Sequence, residues 1–364
     1  MGLIFACVHP ASIDYFAKVK RIILLSIAIS CAIGANAQIG GRHIYDFLNL
    51  VPSARIGALG GVNVSTLDDD VHFGSQNPAL VNPEMHQRLV ASYSPYLAGI
   101  KYGYTGYSHT IEGIGSFHSA IQYMNTGRMQ GADEFGNFTQ TFSAQELVWM
   151  IGGSRSWGQF RYGTNLKVIS STLAPGFGSW GLAADLGGSY RSKDSLFSAG
   201  LVLRNMGFQL STYTATGSRE PLPFEIVAGI SNKLRYMPMR FSLTFIQLEH
   251  PDLIIDDPDA EPDFDLNGNP IQPGPRIADH IFRHFVFGTE FYLGNFMRLR
   301  AGYNHLRRQE LGSQNRGGFT GFSLGVGIRA SRFAFDYGFR SYGVGNPFSL
   351  HQFSLMMYLG STNS

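Results

Sequence analysis

After Gln38 the chain contains no apolar run long enough to cross a bilayer as a helix, yet apolar and polar residues alternate with period two again and again. No other feature limits the fold so tightly. Successive strand side chains point to opposite faces, so each alternating segment carries one apolar and one polar face. Phe285, Phe287, Thr289, Phe291 and Leu293 form an apolar or neutral face, with His284, Gly288, Glu290 and Tyr292 between them. Met297, Leu299, Ala301 and Tyr303 alternate in the same way with Arg298, Arg300, Gly302 and Asn304. Phe322, Leu324, Val326 and Ile328 then oppose Ser323, Gly325, Gly327 and Arg329, and Phe333, Phe335, Tyr337 and Phe339 oppose Ala334, Asp336, Gly338 and Arg340. Trp180 to Gly187 and Phe224 to Ser231 repeat the pattern earlier in the chain.

An antiparallel soluble sandwich alternates too. Three features favour a transmembrane barrel instead. The repeat of about 10 to 13 residues suits a tilted crossing strand. Aromatic residues such as Trp149, Trp157, Tyr190, Tyr292 and Tyr358 crowd near segment ends, where interfacial girdles sit. The counter-face is glycine-rich and carries Arg, Asp and Glu, which a lumen tolerates by mutual pairing. The candidate strands are 87–94, 99–107, 113–125, 145–155, 159–172, 179–191, 196–206, 223–234, 239–250, 284–293, 296–306, 319–330, 333–342 and 349–359. They predict an all-β fold, a 14-stranded antiparallel barrel, an even number as single-chain bacterial barrels require.

Lys18, Lys20 and Arg21 precede an apolar run from Ile22 to Ile33 and an A-x-A site at Ala35 to Ala37, which reads as a signal peptide over residues 1–37. The stretch before the basic cluster fits no signal pattern, and Val19 is a candidate GTG-encoded initiator. Cys31 resembles a lipoprotein box but lacks the preferred Leu. Both cysteines, Cys7 and Cys31, precede the cleavage point, so a disulfide framework and a Cys-based zinc site are excluded from the mature chain. Of 28 basic and 26 acidic residues, 25 of each remain after cleavage, and a formally neutral chain argues against nucleic-acid binding. Charged residues at 15% with 13% aromatics exclude global disorder.

Residues 38–86 do not alternate. Tyr45 to Ile56 can form an amphipathic helix that Pro52 must kink or divide. Gly57-Ala58-Leu59-Gly60-Gly61, the acidic triplet Asp68-Asp69-Asp70 and the string Asn77-Pro78-Ala79-Leu80 follow. A segment with its own apolar content before the first strand suits a plug in the lumen; a periplasmic extension beneath the barrel is the alternative. The barrel itself spans 87–364 and carries one long connection, 251–280, rich in acids and prolines. Asp256, Asp257, Asp259, Glu261, Asp263 and Asp265 make it a candidate extracellular partner contact. Asp263 to Gly268 matches the first half of a calcium loop, but Gly274 stands where the closing acid belongs, so no metal is assigned.

Gly321-Phe322-Ser323-Leu324-Gly325 matches a hydrolase string, but it lies within a clean alternation rather than at a strand-to-helix turn. No zinc-protease, phosphate-loop or dinucleotide motif occurs, and no cofactor is implied. Glu225, Glu290 and Asp336 are expected to neutralise Arg298, Arg300, Arg329 and Arg340 across the lumen rather than to do chemistry, because unpaired charges there cost several kcal/mol.

The run from Phe47 to Gly61, followed by Asp68 to Asp70 and Asn77-Pro78-Ala79-Leu80, resembles the PorV/PorQ family of the Bacteroidota type IX secretion system. That family is similar to the FadL-type barrels, which have 14 strands and an N-terminal hatch with an Asn-Pro-Ala element. The resemblance implies that Asn77, Pro78 and Ala79 belong to a hatch. It also implies a non-enzymatic outer-membrane member of the cell-surface attachment complex, alongside PorU, PorV and PorZ, with a PorZ-like surface protein as direct partner and outer-membrane lipid as surroundings. Cargo attachment to lipopolysaccharide is then PorU chemistry. The alternative is a FadL-like channel for a hydrophobic small molecule.

Overall fold

The computed structural model describes residues 43–96, 99–133, 135–214, 216–253, 277–311, 319–342 and 349–360. The expected signal peptide and the acidic positions Asp256 to Asp265 lie outside the described residues. Among the described residues, fourteen antiparallel strands close into a barrel. They are β1 (Arg88–Pro95), β2 (Lys101–Ile111), β3 (Gly115–Asn125), β6 (Gln145–Trp157), β7 (Phe160–Ala174), β8 (Phe177–Arg191), β9 (Phe197–Ser211), β10 (Glu225–Lys233), β11 (Met239–Phe245), β12 (Phe285–Leu293), β13 (Met297–Asn304), β14 (Phe322–Ala330), β15 (Phe333–Ser341) and β16 (Ser349–Tyr358). Each pairs with the next, and β16 returns to β1 with Arg88 opposite Tyr358. Two further strands, β4 (Met129–Ala132) and β5 (Phe138–Phe142), form a separate hairpin between β3 and β6.

Every segment expected from alternation supplies one barrel strand. The larger boundary differences have local causes. β9 continues to Ser211 through a bulge at Asn205, whose φ is 56°, and β11 ends at Phe245 because Gln247 turns the backbone into the left-handed region at φ 52°. The β4–β5 hairpin escaped sequence reading because Phe138 to Gln140 are exposed on both faces, leaving no buried period to detect.

The two faces of the wall meet different media. Outward positions carry Leu147, Trp149, Ile151, Leu166, Leu182, Leu186, Leu324 and Phe335, all exposed, while Asp185, Glu290, Arg300 and Arg340 point inward and are buried. Turns at one end are short, at 112–114, 158–159, 192–196, 294–296 and 331–332. Connections at the other end run to 126–144, 212–224, 246–284 and 305–321, and barrels of this kind place their short turns on the periplasmic side.

Residues 43–86 occupy the lumen. They start at the long-loop end, where Ile44 N donates to Pro221 O at 3.0 Å and Tyr45 Oη bonds Ser179 Oγ, and leave at the short-turn end, where Arg88 Nε donates to Glu84 O at 2.8 Å. Pro52 divides the expected helix: a 3₁₀ turn at Asp46–Asn49 gives way to extended backbone and then to α1 (Ala54–Ala58), N-capped by Ser53 Oγ accepting from Ile56 N at 3.2 Å. A short α2 (Phe73–Gln76) follows. Phe47, Val51, Ile56, Phe73, Leu80 and Met85 of this hatch pack with Val90, Tyr102, Ala120, Val148 and Met150 of the wall in one apolar cluster. Each large side chain buried this way contributes about 1.5–3 kcal/mol.

If the outward face meets hydrocarbon, Leu166→Arg, at mid-strand and 65% exposed, destabilises the barrel by about 2–4 kcal/mol in urea unfolding from lipid vesicles. Tyr236→Arg, 92% exposed in the turn after β10, changes stability by less than about 0.5 kcal/mol in the same assay.

Candidate functional site

The hatch is held by charge as well as by apolar packing. Arg55, on α1, is 1% exposed and meets acids from both hatch and wall. Its Nε and Nη2 donate to the two Glu290 carboxylate oxygens, each at 2.9 Å, in the bidentate geometry that fits a guanidinium best. Nη1 donates to Asp68 Oδ1 at 3.1 Å and approaches Asp70 Oδ2 at 3.4 Å, and the Phe73 ring lies 5.0 Å from Cζ. Arg300 Nε shares Glu290 Oε1 at 2.9 Å and turns its Nη1 to Asp336 at 2.5 Å. Arg240 bridges Asp68 at 3.0 Å and Glu290 at 3.1 Å. Burial by itself would raise the Asp68 and Asp70 carboxyls and lower Arg55. The neighbouring opposite charges outweigh it: Asp70, beside His72 and Arg55, is held down at about 2, Asp68 is held well below the usual carboxylate range, and Arg55 is raised.

A second chain of bonds ties the hatch to the seam where the barrel closes. Asp70 Oδ1 lies 2.7 Å from His72 Nδ1, His72 Nε2 lies 2.7 Å from Ser92 Oγ on β1, and Ser92 Oγ lies 2.8 Å from Ser354 Oγ on β16. Ser354 Oγ in turn accepts from Ala54 N at 2.8 Å. The first three residues have the connectivity of a hydrolytic triad. Ser92, however, is buried and its Oγ already lies 2.8 Å from Ser354 Oγ, which itself is engaged by the hatch. The arrangement acts as a tether across the β1–β16 pair.

The Asn77-Pro78-Ala79-Leu80 string is a buried turn docked on a glycine floor. Asn77 Oδ1 accepts from Ala79 N at 3.0 Å, capping the 3₁₀ turn that Pro78 opens, and its Nδ2 donates to Val64 O at 2.9 Å and Gly188 O at 3.3 Å. A Cβ on Gly163 would sit 2.6 Å from Pro78 O, one on Gly187 would strike the Asn77 side chain, and one on Gly200 would strike Val64 O. Inward glycines on β12 to β15 admit α1 in the same way; a Cβ on Gly338 would sit 2.5 Å from Ala54 O.

The seven charged residues expected to form one lumen network do not do so. Glu290, Arg300 and Asp336 share the Arg55 cluster, and Arg329 pairs with Asp69 at 2.6 Å. Glu225 pairs with Arg204, a separate contact. Arg298 forms no ion pair among the described residues: its Cζ lies 5.2 Å from the Tyr292 ring, in a 700 Å³ hollow at the short-turn end lined also by Asp68, Lys233 and Arg240. Arg340 donates to Gln352 Oε1 instead of to an acid. Sequence reading missed Arg55, Arg240, Arg204 and the buried pair Lys167 and Asp185 at 2.8 Å. Inward parity was the available signal for the strand residues, whereas nothing local marks Arg55. In the hydrolase-like string, Ser323 Oγ donates to Ala58 O at 3.1 Å and so joins the hatch contact.

No protein-family model matches the chain, and no curated protein matches it in sequence. In structure it is similar to the Pseudomonas putida toluene transporter TodX, with 12% identity and a TM-score of 0.50 over 84% of this chain and 97% of that one. A Pseudomonas aeruginosa FadL homologue aligns with 10% identity and a TM-score of 0.47 over 85% of this chain and 98% of its own. The fold is that of a FadL-like outer-membrane barrel.

Arg55→Met leaves Glu290 and Asp68 without their central partner. It lowers stability by about 3–5 kcal/mol and removes hydrogen-exchange protection from α1, read by mass spectrometry of the detergent-solubilised barrel. The Asp70 carboxyl titrates lower in the folded chain than in the unfolded one. Its contribution is therefore complete above its ordinary value of 3.8 and is lost as pH falls toward about 2. Hatch protection should accordingly persist at about pH 5 and fail only in stronger acid; loss already at about pH 5 contradicts this assignment.

Proposed function

We propose that the chain is a non-enzymatic outer-membrane component of a type IX secretion attachment complex, PorQ-like in kind, exported by a cleaved signal peptide in a member of the Bacteroidota. In this reading it anchors a PorZ-like surface protein alongside PorU and PorV, and PorU carries out cargo processing and attachment to lipopolysaccharide. The observation that carries the reading is the locked hatch. Arg55 and the glycine floor hold residues 43–86 across the lumen, which suits a barrel that presents its long-loop end to a partner. The resemblance over Phe47 to Leu80 supplies the choice of partner.

A FadL-like channel for a hydrophobic small molecule is the second reading, favoured by the shared fold with a barrel described as a toluene transporter. Against it, the apolar hollows of 430 and 610 Å³ among the described residues are lined by outward residues such as Phe241, Phe287, Leu166 and Leu186, on the lipid side of the wall. The hatch–wall contact is densely polar around Arg55, Asn77 and Ser92.

Affinity capture of the tagged protein from detergent-solubilised outer membranes separates the two. The anchor reading expects a PorZ-like surface protein, absent when Pro251 to Ala278 are deleted. Recovery of the barrel alone with a co-purified apolar ligand would overturn it in favour of the channel.

A further inference from the structure

Among the described residues, two guanidiniums at the long-loop end of the lumen form no ion pair. Arg340, near the end of β15, is 2% exposed, and its Nη2 donates to the neutral Gln352 Oε1 at 3.1 Å. Arg307 lies on α4 (His305–Leu311), which follows α3 (Ile277–Arg283) in the chain and caps the β13–β14 connection. Its Nη2 donates to Gly60 O at 2.7 Å, while its Nη1 is buried without a hydrogen-bond partner. Among the described residues neither Arg307 nor Arg340 forms an ion pair, although every guanidinium of the Arg55 cluster in the same lumen does. Both instead face the Tyr342 ring, with Cζ at 5.4 Å and 5.8 Å from its centre.

The surroundings add further donors. Tyr102, on β2, is 1% exposed, its hydroxyl is buried without a partner, and it lies within electrostatic reach of Arg340 and Tyr96. Tyr96 in turn lies within electrostatic reach of Tyr342 and Arg340. Burial would raise the Tyr342 phenol, but the two guanidiniums hold it below its ordinary value, a sign of positive local potential. The hatch backbone leaves room for both cations. A Cβ on Gly57 would sit 3.3 Å from Arg340 Nε, and one on Gly61, at φ +103°, would sit 2.7 Å from Arg307 Nη2.

A buried charge without a counter-charge is costly, and so is a buried hydroxyl without a partner. One occupant removes both penalties. We propose that Arg307, Arg340 and the Tyr102 hydroxyl form a binding site for an oxyanion of the carboxylate or phosphate class. Paired guanidinium forks match the geometry of such groups, and a phenol adds a neutral donor. The site goes beyond the anchor reading and does not depend on it.

The test uses the full-length barrel in dodecylmaltoside, exchanged into chloride and titrated at constant ionic strength while thermal unfolding is followed. Inorganic phosphate and acetate probe a free anion, and phosphatidic acid in mixed micelles probes one carried by a lipid. The expected result is saturable stabilisation by at least one of them. In both Arg307→Gln and Tyr102→Phe the apparent affinity should be weaker by about tenfold or more. Tyr102→Phe deletes only an unpartnered hydroxyl, so its fold stays intact and its response remains readable. Stabilisation by phosphate or acetate identifies a free anion as sufficient, and stabilisation by phosphatidic acid alone identifies a lipid-borne one. If none stabilises the parent barrel, or if both variants respond as the parent does, the proposal fails.

Discussion

A guanidinium removed from water in the middle of a barrel sets the terms for much of what surrounds it. Arg55 can be buried only because Glu290 comes from the wall and Asp68 and Asp70 from the hatch, so hatch and wall complete each other's charge balance. Without Arg55 the wall would keep Glu290 against Arg240 and Arg300 alone, and the hatch would keep two adjacent carboxylates with less to oppose them. The cost of an uncompensated buried charge is several kcal/mol, comparable with the burial of two or three large apolar side chains. Docking of the hatch is therefore specific in register: a shift of one residue along the wall would separate the fork from both Glu290 oxygens.

That register depends in turn on glycine. Interstrand spacing and inward side chains would normally keep a second backbone away from a sheet, but the wall is bare at Gly163, Gly187, Gly200, Gly302 and Gly338, and hatch backbone lies directly against it. The same glycines free the Asn77 side chain to bond hatch and wall at once. Outside, the requirement reverses. Leu, Ile and Phe cover the wall because hydrocarbon offers no partner to a polar group. The closing seam shows both demands on one pair of strands, with Ser92 and Ser354 bonded inward to the hatch through His72 while Tyr93 and Leu355 face outward.

Lumen polarity is unevenly distributed, and that unevenness carries the functional argument. Around Arg55 charges are matched, which suits a plug that stays in place. Near β1 to β7 apolar hatch side chains meet Val90, Tyr102, Val148 and Met150, so this side of the hatch is sealed by packing. Toward the long-loop end Arg307 and Arg340 form no ion pair among the described residues, and Arg307 Nη1 is buried without a hydrogen-bond partner.

Period-two alternation was enough to count fourteen strands and to orient their faces, because a wall between hydrocarbon and a polar interior imposes one residue class on each side of every strand. It also marked Glu225, Glu290, Arg298, Arg300, Arg329, Asp336 and Arg340 as inward. It could not pair them, because partners such as Glu290 and Arg55 are 235 residues apart and their meeting depends on barrel register and hatch path together. Asn77-Pro78-Ala79-Leu80 stood out as a string before the first strand, and the resemblance placed it in a hatch; its capped turn appears only in the structure. That Gly163, Gly187 and Gly200 form the floor beneath it was not legible, since a glycine in a strand looks the same whether it faces empty lumen or another backbone. Which face each residue takes is local physics and is written in the order of residues; which charges meet, and which are left without a partner, only the closed barrel around its hatch decides.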